Sequence, residues 1–465
     1  MFIGREAELR SLQEDLSKDR PQLVRILGRR RVGKSELLHQ LLKGTPGLLL
    51  VVPETDQATA LETLAAQLSA QLRQNVGPYR SFSDLFDDLE TRVPRLVVLD
   101  EFQHAMELGV GVESEIQLRW DRRWKEHGPN LILCGSSIGM MQRLVRGRAP
   151  LFGRVLHHLH LRPLPYAHAR EFHEGLSEED RIRRYAVFGG VPYYQSLSVG
   201  GTLEQAVRRT LLRPQGALVE EPERILTQEF REPARYHGIL QRLAQNPQGL
   251  GDLETSLRVP KGGLGWYLAS LTRDVDLVRH EQPVLGKKRL GRYQLLDPFF
   301  RFYYRFVSER FDLVELGRED RLWELIEEGL ESYVGRVFED VVLQILAQAR
   351  EVNGHVHRFD QIGRWWDRRG EEIDVVSAGP REVWVGEVKW SDRDLGEDLV
   401  QRLLAKARLL PIPSPQAWRP FIVSRGELSR AAQALLERKG GFWLDLVGLQ
   451  RLMAEQRRRE RAGRS

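Results

Sequence analysis

The sequence predicts an α/β protein. Its first third is a parallel sheet covered by helices, and a helical segment, a helices-plus-hairpin segment and a second α/β region follow. Three observations predict this. Residues 1–161 alternate short aliphatic runs with amphipathic stretches, the pattern of strands buried on both faces. Over 162–225 the periodicity turns helical and polar, and over 226–324 it gives three helices and then a hairpin. Beyond 325 a helix leads into paired strands. A length of 465 residues suits two to four domains of ~100–200 residues each. The breaks give four segments: 1–161, 162–225, 226–324 and 325–465.

Element by element, strands are expected at 23–27, 48–52, 96–99 and 131–134, with a fifth near 155–161, and a helix at 34–43. Gly189-Gly190-Val191-Pro192 interrupts the polar helical segment. Helices at 235–245, 251–257 and 262–273 precede strands near 275–280 and 292–296, around a Gly286-Lys287-Lys288-Arg289 turn. That order is the winged-helix plan. A helix over 334–346, strands near 371–377 and 382–389, and a late strand at 420–424 complete the chain. The tail from Gln456 to Ser465 is basic and expected to fray.

Composition excludes several classes. No apolar run reaches the ~18–20 residues that span a bilayer, so no membrane role is expected. The opening MFIGREAELR lacks the apolar core of a signal peptide, and the cytoplasm is the expected compartment. The single cysteine, Cys134, excludes a disulfide framework and a thiolate zinc site. Net charge is +5, with 60 arginines among 70 basic residues. This balance is compatible with phosphate recognition and equally with a codon bias towards arginine.

Gly28-Arg29-Arg30-Arg31-Val32-Gly33-Lys34-Ser35 fits GxxxxGK[ST], with a strand before it and a helix after it. Gly28 and Gly33 let backbone N–H groups face phosphate oxygens at a helix N-terminus. Lys34 is expected to reach the β- and γ-phosphates of ATP, and Ser35 to hold Mg²⁺. Asp100, 66 positions after Lys34, closes the apolar run Leu96-Val97-Val98-Leu99 and is followed by Glu101. Asp100 is expected to organise Mg²⁺ and Glu101 to polarise the attacking water. Ser136, after another strand, is a candidate γ-phosphate sensor. Arg154, with Arg148 as competitor, is a candidate finger reaching a neighbouring subunit, so a homo-oligomer is an expected partner.

The series FIGREAEL, GRRRVGKS, LVVLDEFQ, LCGSS, PLFGR and FGGVPYY resembles the archaeal-type P-loop ATPases of the AAA+/STAND group, over roughly residues 1–300. The resemblance implies an ASCE-type ATPase core, a helical lid and a winged helix, with the segment from Phe2 to Leu9 packed near the adenine. Ser136 and Ser137 stand where such proteins commonly carry an Asn sensor.

The second constellation is Glu372-Ile373-Asp374 and Gly386-Glu387-Val388-Lys389, with Ala378-Gly379-Pro380-Arg381 as a turn between. Two antiparallel strands would bring Asp374 near Glu387, and alternation sets Glu387 and Lys389 on one face. Asp374 and Glu387 are candidate Mg²⁺ or Mn²⁺ ligands, Glu339 a further one, and Lys389 a group that positions water. The pattern resembles the PD-(D/E)xK nucleases, over about 330–430, in the restriction-endonuclease-like fold. It implies DNA as partner and metal-dependent cleavage. The QxxxY of the RecB-like subgroup is not met, since Ala405 follows Gln401.

Three weaker signals complete the reading. Lys287, Lys288, Arg289 and Arg292 suit either DNA phosphates or packing between domains. Trp365 and Trp366 suit base stacking or, better, a core. His157, His158 and His160 alternate between faces and do not make a zinc site. The expected function is an ATPase acting on DNA with a metal-dependent nuclease domain. The rivals are a STAND-type switch with an inactive nuclease-like scaffold, and a winged-helix DNA-binding regulator.

Overall fold

The computed structural model describes residues 2–92, 95–412 and 417–462. The chain forms two compact units. The first comprises Met1–Leu164, Val191–Tyr193 and Ala269–Val275; the second comprises Pro165–Gly190, Tyr194–Leu268 and Asp276–Ser465. Among the described residues no helix is long and apolar enough to cross a membrane.

The first unit is built on β1 (Leu23–Leu27), β2 (Leu48–Val51), β3 (Leu96–Asp100), β4 (Asn130–Gly135) and β5 (His157–His160). All neighbours are parallel, in the order β2-β3-β4-β1-β5. Every residue of β1, β3 and β4 is buried, as central strands covered on both faces require. Two apolar layers result. Leu27, Val97, Leu99 and Leu133 pack with the helix Phe82–Arg92 and with Trp120 and Trp124 on one side. Val24, Ile26, Val98 and Ile132 pack with the helix Lys34–Gly44 on the other. Because β4 lies between β1 and β3, the carboxyl ends of these strands bring Gly28, Asp100 and Ser136 to one edge.

The second unit contains the helices Pro233–Gln245, Leu250–Ser256 and Gly265–Arg273 up to the unit boundary, then the paired strands Val278–Glu281 and Arg292–Leu295. The helix-helix-helix-hairpin order follows the sequence reading to within a few residues. The hairpin packs on the unit's own C-terminal sheet. Val284 N–H donates to Arg364 O at 2.9 Å, Trp366 Nε1 to Leu290 O at 2.8 Å, and the Arg292 guanidinium lies 3.8 Å from the Trp366 ring centroid. Arg292 thus serves packing, while Lys287, Lys288 and Arg289 are exposed. Trp365 and Trp366 are buried, which removes them as stacking platforms.

The C-terminal sheet runs Gln361–Trp366, Glu372–Ala378, Glu382–Lys389, Ala417–Ser424, Phe442–Leu444. Its first three strands are antiparallel and its last two join in parallel. The helix Glu397–Ala407 covers it through Leu399, Val400, Leu403 and Ala407. The helix expected at 334–346 is 28 residues long, Glu319–Leu346, so the boundary drawn at 324/325 falls inside it. Its apolar stripe continues upstream through Leu322, Trp323, Ile326 and Leu330. The described part of the tail is helical: a helix spans Leu446–Ala462, and Arg457 ion-pairs with Glu171. Gly463 to Ser465 lie outside the described residues.

Candidate functional sites

The loop between β1 and the helix Lys34–Gly44 requires its glycines. A Cβ on Gly28 would lie 2.4 Å from the Leu161 carbonyl oxygen, and Gly33 has φ +97°, where L side chains are strained. Arg31 is also left-handed, at φ 70°. Lys34 is buried, and its Nζ donates to the carbonyls of Gly28 at 2.9 Å and Arg29 at 3.2 Å. Ser35 Oγ lies 3.5 Å from Asp100 Oδ2. A hydroxyl and a carboxylate at this separation suit the flanks of a small hard cation. The tight, glycine-dependent loop with its buried lysine suits a triphosphate. The residues present therefore fit ATP and Mg²⁺.

Glu101 follows β3 at φ 52°, a conformation that is rare off glycine and that turns its side chain out of the strand. Its Oε2 accepts Ser136 Oγ at 2.7 Å, Ser136 N–H at 3.2 Å and Gln103 Nε2 at 2.6 Å. Burial raises its pKa, but Lys34 and these hydrogen bonds outweigh burial and the net shift is downward. Ser136 thus holds the Glu101 carboxylate. Gln103, which the sequence reading missed, sits two positions on, in the first turn after the strand. Arg5 is a second such residue. Buried, it donates to Val32 O at 3.2 Å and to Arg162 O, tying the opening segment to the phosphate loop.

Arg154 pairs within its own chain. Its Nε and Nη2 make a bidentate pair with Asp121 at 2.8 and 2.7 Å, and its Nη1 reaches the carbonyls of Pro150 and Phe152. The pair is solvent-exposed and weak. Arg148 is exposed.

In the second unit, Val375 pairs with Gly386 across the antiparallel strands, so Asp374 and Glu387 are adjacent, as the spacing predicts. Lys389 Nζ lies 2.7 Å from Glu387 Oε1 and 4.0 Å from Asp374 Oδ2. Asp374 Oδ2 accepts the Val388 N–H at 2.8 Å. Burial and the neighbouring Glu387 push the Asp374 carboxyl up to about 6. Burial and then Asp374 push Glu339 up to about 8. Glu339 thus faces the same cleft, but the three carboxylates do not form a ready cation cage. Among the described residues no three His, Cys, Asp or Glu side chains meet in a group that could hold a metal ion. Lysines take up the Glu387 oxygens instead: Lys389 holds one, and Lys406 Nζ lies 3.2 Å from the other. Lys406 was not foreseen. It comes from the helix Glu397–Ala407, three residues after the buried Leu403, on the flank of that helix's apolar face.

The cleft is polar and encloses about 410 Å³. Arg292, Arg336, Arg364 and Lys406 line it with the carboxylates. Behind it, Asp340 is clamped by Arg301 at 2.9 Å and Arg364 at 2.8 Å, and Arg364 also reaches Glu339 at 3.3 Å.

Residues 20–170 match the family described as AAA domain. That match lies almost wholly in the first unit. Residues 303–402 match a family described as archaeal and bacterial proteins of unknown function. An uncharacterized protein of Methanocaldococcus jannaschii, MJECL04, is 27% identical over 447 residues, 94% of this chain and 98% of its own length. The structure of the Walker-type ATPase PABY2304 of Pyrococcus abyssi is similar with a TM-score of 0.51 at 20% identity, covering 65% of this chain and 96% of that one. Residues 20–170 are thus similar to an AAA domain in a P-loop fold like that of the Walker-type ATPase, and such a domain implies ATP, and typically Mg²⁺, as its ligands.

Proposed function

We propose that this protein is an ATPase acting on DNA, in which the AAA domain binds and hydrolyses ATP and the second unit cleaves DNA with a divalent metal. In the AAA domain Lys34 and the backbone between Gly28 and Gly33 bind the phosphates. Ser35 and Asp100 hold the metal. Glu101 orients the attacking water, and Ser136 and Gln103 fix the orientation of Glu101. In the second unit a divalent metal would be held by Asp374 and Glu387, once Lys389 or Lys406 gives up the Glu387 oxygen it pairs with, and Glu339 would be a further ligand. Lys389 orients water or the scissile phosphate. A bound Mg²⁺ or Mn²⁺ would polarise the phosphodiester there.

The single observation that carries the nuclease reading is the meeting of Asp374, Glu387 and Lys389 at the open end of two paired strands. They line a cleft to which Arg292, Arg336 and Arg364 also contribute. Two neighbouring buried carboxylates gain from a dication, and arginines gain from phosphate. The test is cleavage of labelled single-stranded, duplex and branched DNA with Mg²⁺ or Mn²⁺, with and without ATP. Metal-dependent cleavage lost in Asp374→Ala and altered in Lys34→Ala is expected.

One observation favours a second reading. Both oxygens of Glu387 are already paired with lysines, as in a scaffold that binds phosphate without cutting. In that reading the chain is an ATP-driven switch. Intact ATP turnover with no cleavage of any of the three DNA forms would favour it.

A further inference from the structure

A second cavity, of about 390 Å³, lies in the same unit and is lined by Gln245, Arg305, Phe306, Glu309, Arg310 and Leu325. Gln245 also lines the carboxylate cleft, as does Arg336. The two hollows therefore meet at the C-terminal end of the helix Pro233–Gln245. At this junction the basic groups are not balanced. Arg336 Nη1 donates to the Gln245 carbonyl, which leaves its other guanidinium nitrogens for a ligand. Arg305 is half-buried and lies against the Phe306 ring. Among the described residues neither arginine has a carboxylate within ion-pair distance. Elsewhere in this unit the cleft-lining arginines do: Arg292 has Glu372, Arg301 has Asp340, and Arg364 has Asp340 and Glu339. The one carboxylate lining the second cavity, Glu309, accepts a hydrogen bond from Gln241 at 2.9 Å. Arg305 is shifted downward by burial and then by the charge of Arg336, so the two cations repel each other across the junction.

Arg305 is half-buried and Arg336 exposed, and neither is ion-paired among the described residues, so an anion bridging the two forks gains charge-assisted hydrogen bonds that no described residue supplies. Planar guanidinium forks suit phosphate above other anions. We infer that Arg305 and Arg336 bind a backbone phosphate of a DNA strand that runs from the second cavity into the carboxylate cleft. The site would fix the strand beside Asp374 and Glu387 without touching the scissile bond. The inference rests on the DNA-binding half of the function proposed above, and not on cleavage.

The experiment measures binding of the full chain to fluorescently labelled single-stranded and duplex oligonucleotides, by anisotropy in EDTA over a series of salt concentrations. Arg305→Gln combined with Arg336→Gln should weaken binding at least ~10-fold near 100 mM salt. Losing two phosphate contacts should also flatten the slope of log K against log salt by about 1.4 for a single strand or about 1.8 for a duplex. The Arg305→Lys, Arg336→Lys pair keeps the charges and should retain most of the slope. A thermal melt confirms that each variant is folded. Binding by the Gln pair equal to that of the unaltered protein would overturn the inference. So would failure of the unaltered protein to bind DNA, or a Lys pair as weak as the Gln pair. A thermal shift by inorganic phosphate that the Gln pair loses, with DNA affinity unchanged, would assign the site to a free anion and also overturn it. Cleavage is assayed separately in Mg²⁺. Arginine-dependent binding without cleavage refutes the nuclease alone, and cleavage indifferent to the arginines refutes the strand site alone.

Discussion

Asp340 offers a quantitative test of how the second unit is held together. Its carboxylate is largely buried between Arg301 and Arg364, at 2.9 and 2.8 Å. Asp340→Asn keeps the shape and removes the charge. Breaking a buried pair by losing one partner costs about 3–5 kcal/mol, because the other charge stays buried and uncompensated. Here Arg364 keeps Glu339 at 3.3 Å and Glu281 at 3.8 Å, and Asn keeps an acceptor oxygen, so the expected loss is about 3 kcal/mol. The pH dependence follows from the same clamp. Burial alone would raise the carboxyl, but Arg301 and Arg364 outweigh it and hold it at about 2, against an ordinary 3.8. A depressed carboxyl adds stability above its unfolded value and loses it as pH falls through its folded one. The contribution, about 2 kcal/mol for a shift of nearly two units, is thus full above pH ~4 and fades towards pH ~2. Urea unfolding followed by tryptophan fluorescence at pH 7 and pH 3 measures both effects. An Asn variant within ~0.5 kcal/mol of the unaltered protein at pH 7, or one with the same pH 7 to pH 3 difference, would refute the clamp.

Other substitutions probe the two sites. Gly28→Ala should cost about 1–3 kcal/mol in thermal or urea unfolding, because its Cβ meets the Leu161 carbonyl at 2.4 Å, and ATP binding measured by a fluorescent analogue should fall with it. Glu101→Gln should retain that binding while slowing hydrolysis ~10²–10⁴-fold, and Ser136→Ala should slow it less, since Gln103 still holds the carboxylate. Lys389→Met should abolish metal-dependent cleavage in single-turnover assays, whereas Lys406→Met, which frees one Glu387 oxygen, should lower the rate only ~10-fold. For contrast, Asp121→Asn, which breaks the more exposed Arg154 pair, should change stability by no more than ~1 kcal/mol in urea unfolding.

Legibility in the sequence followed the distance over which each feature is encoded. The phosphate loop is one contiguous motif between a strand and a helix, so its residues could be named in advance. Asp374 and Glu387 were legible because a short turn fixes the register of two neighbouring strands. Lys406 was not, because it reaches Glu387 from a helix 19 residues further on. The pairing of Arg154 with Asp121, 33 residues away in sequence, was not legible either. A lone arginine before a strand carries no sign of such a partner. The helix Glu319–Leu346 defeated the boundary at 324/325 because amphipathic periodicity does not announce which neighbours a stripe will serve.

That helix also bears on inheritance. It packs against Glu178–Phe188 and Leu203–Leu211 as well as the strands Glu372–Ala378 and Glu382–Lys389, and Glu331 on it bridges Arg183 and Arg425. A recombination event joining residues 325–465 to another ATPase would cut the helix after its first turns and leave Leu322 and Trp323 behind. It would also strip the sheet of the hairpin's Val284. The C-terminal region is thus not a detachable cartridge. Viable shuffling should keep Glu319–Leu346 whole together with the helices and strands it packs against, and chimaeras cut within the helix should be recovered as insoluble or protease-sensitive products.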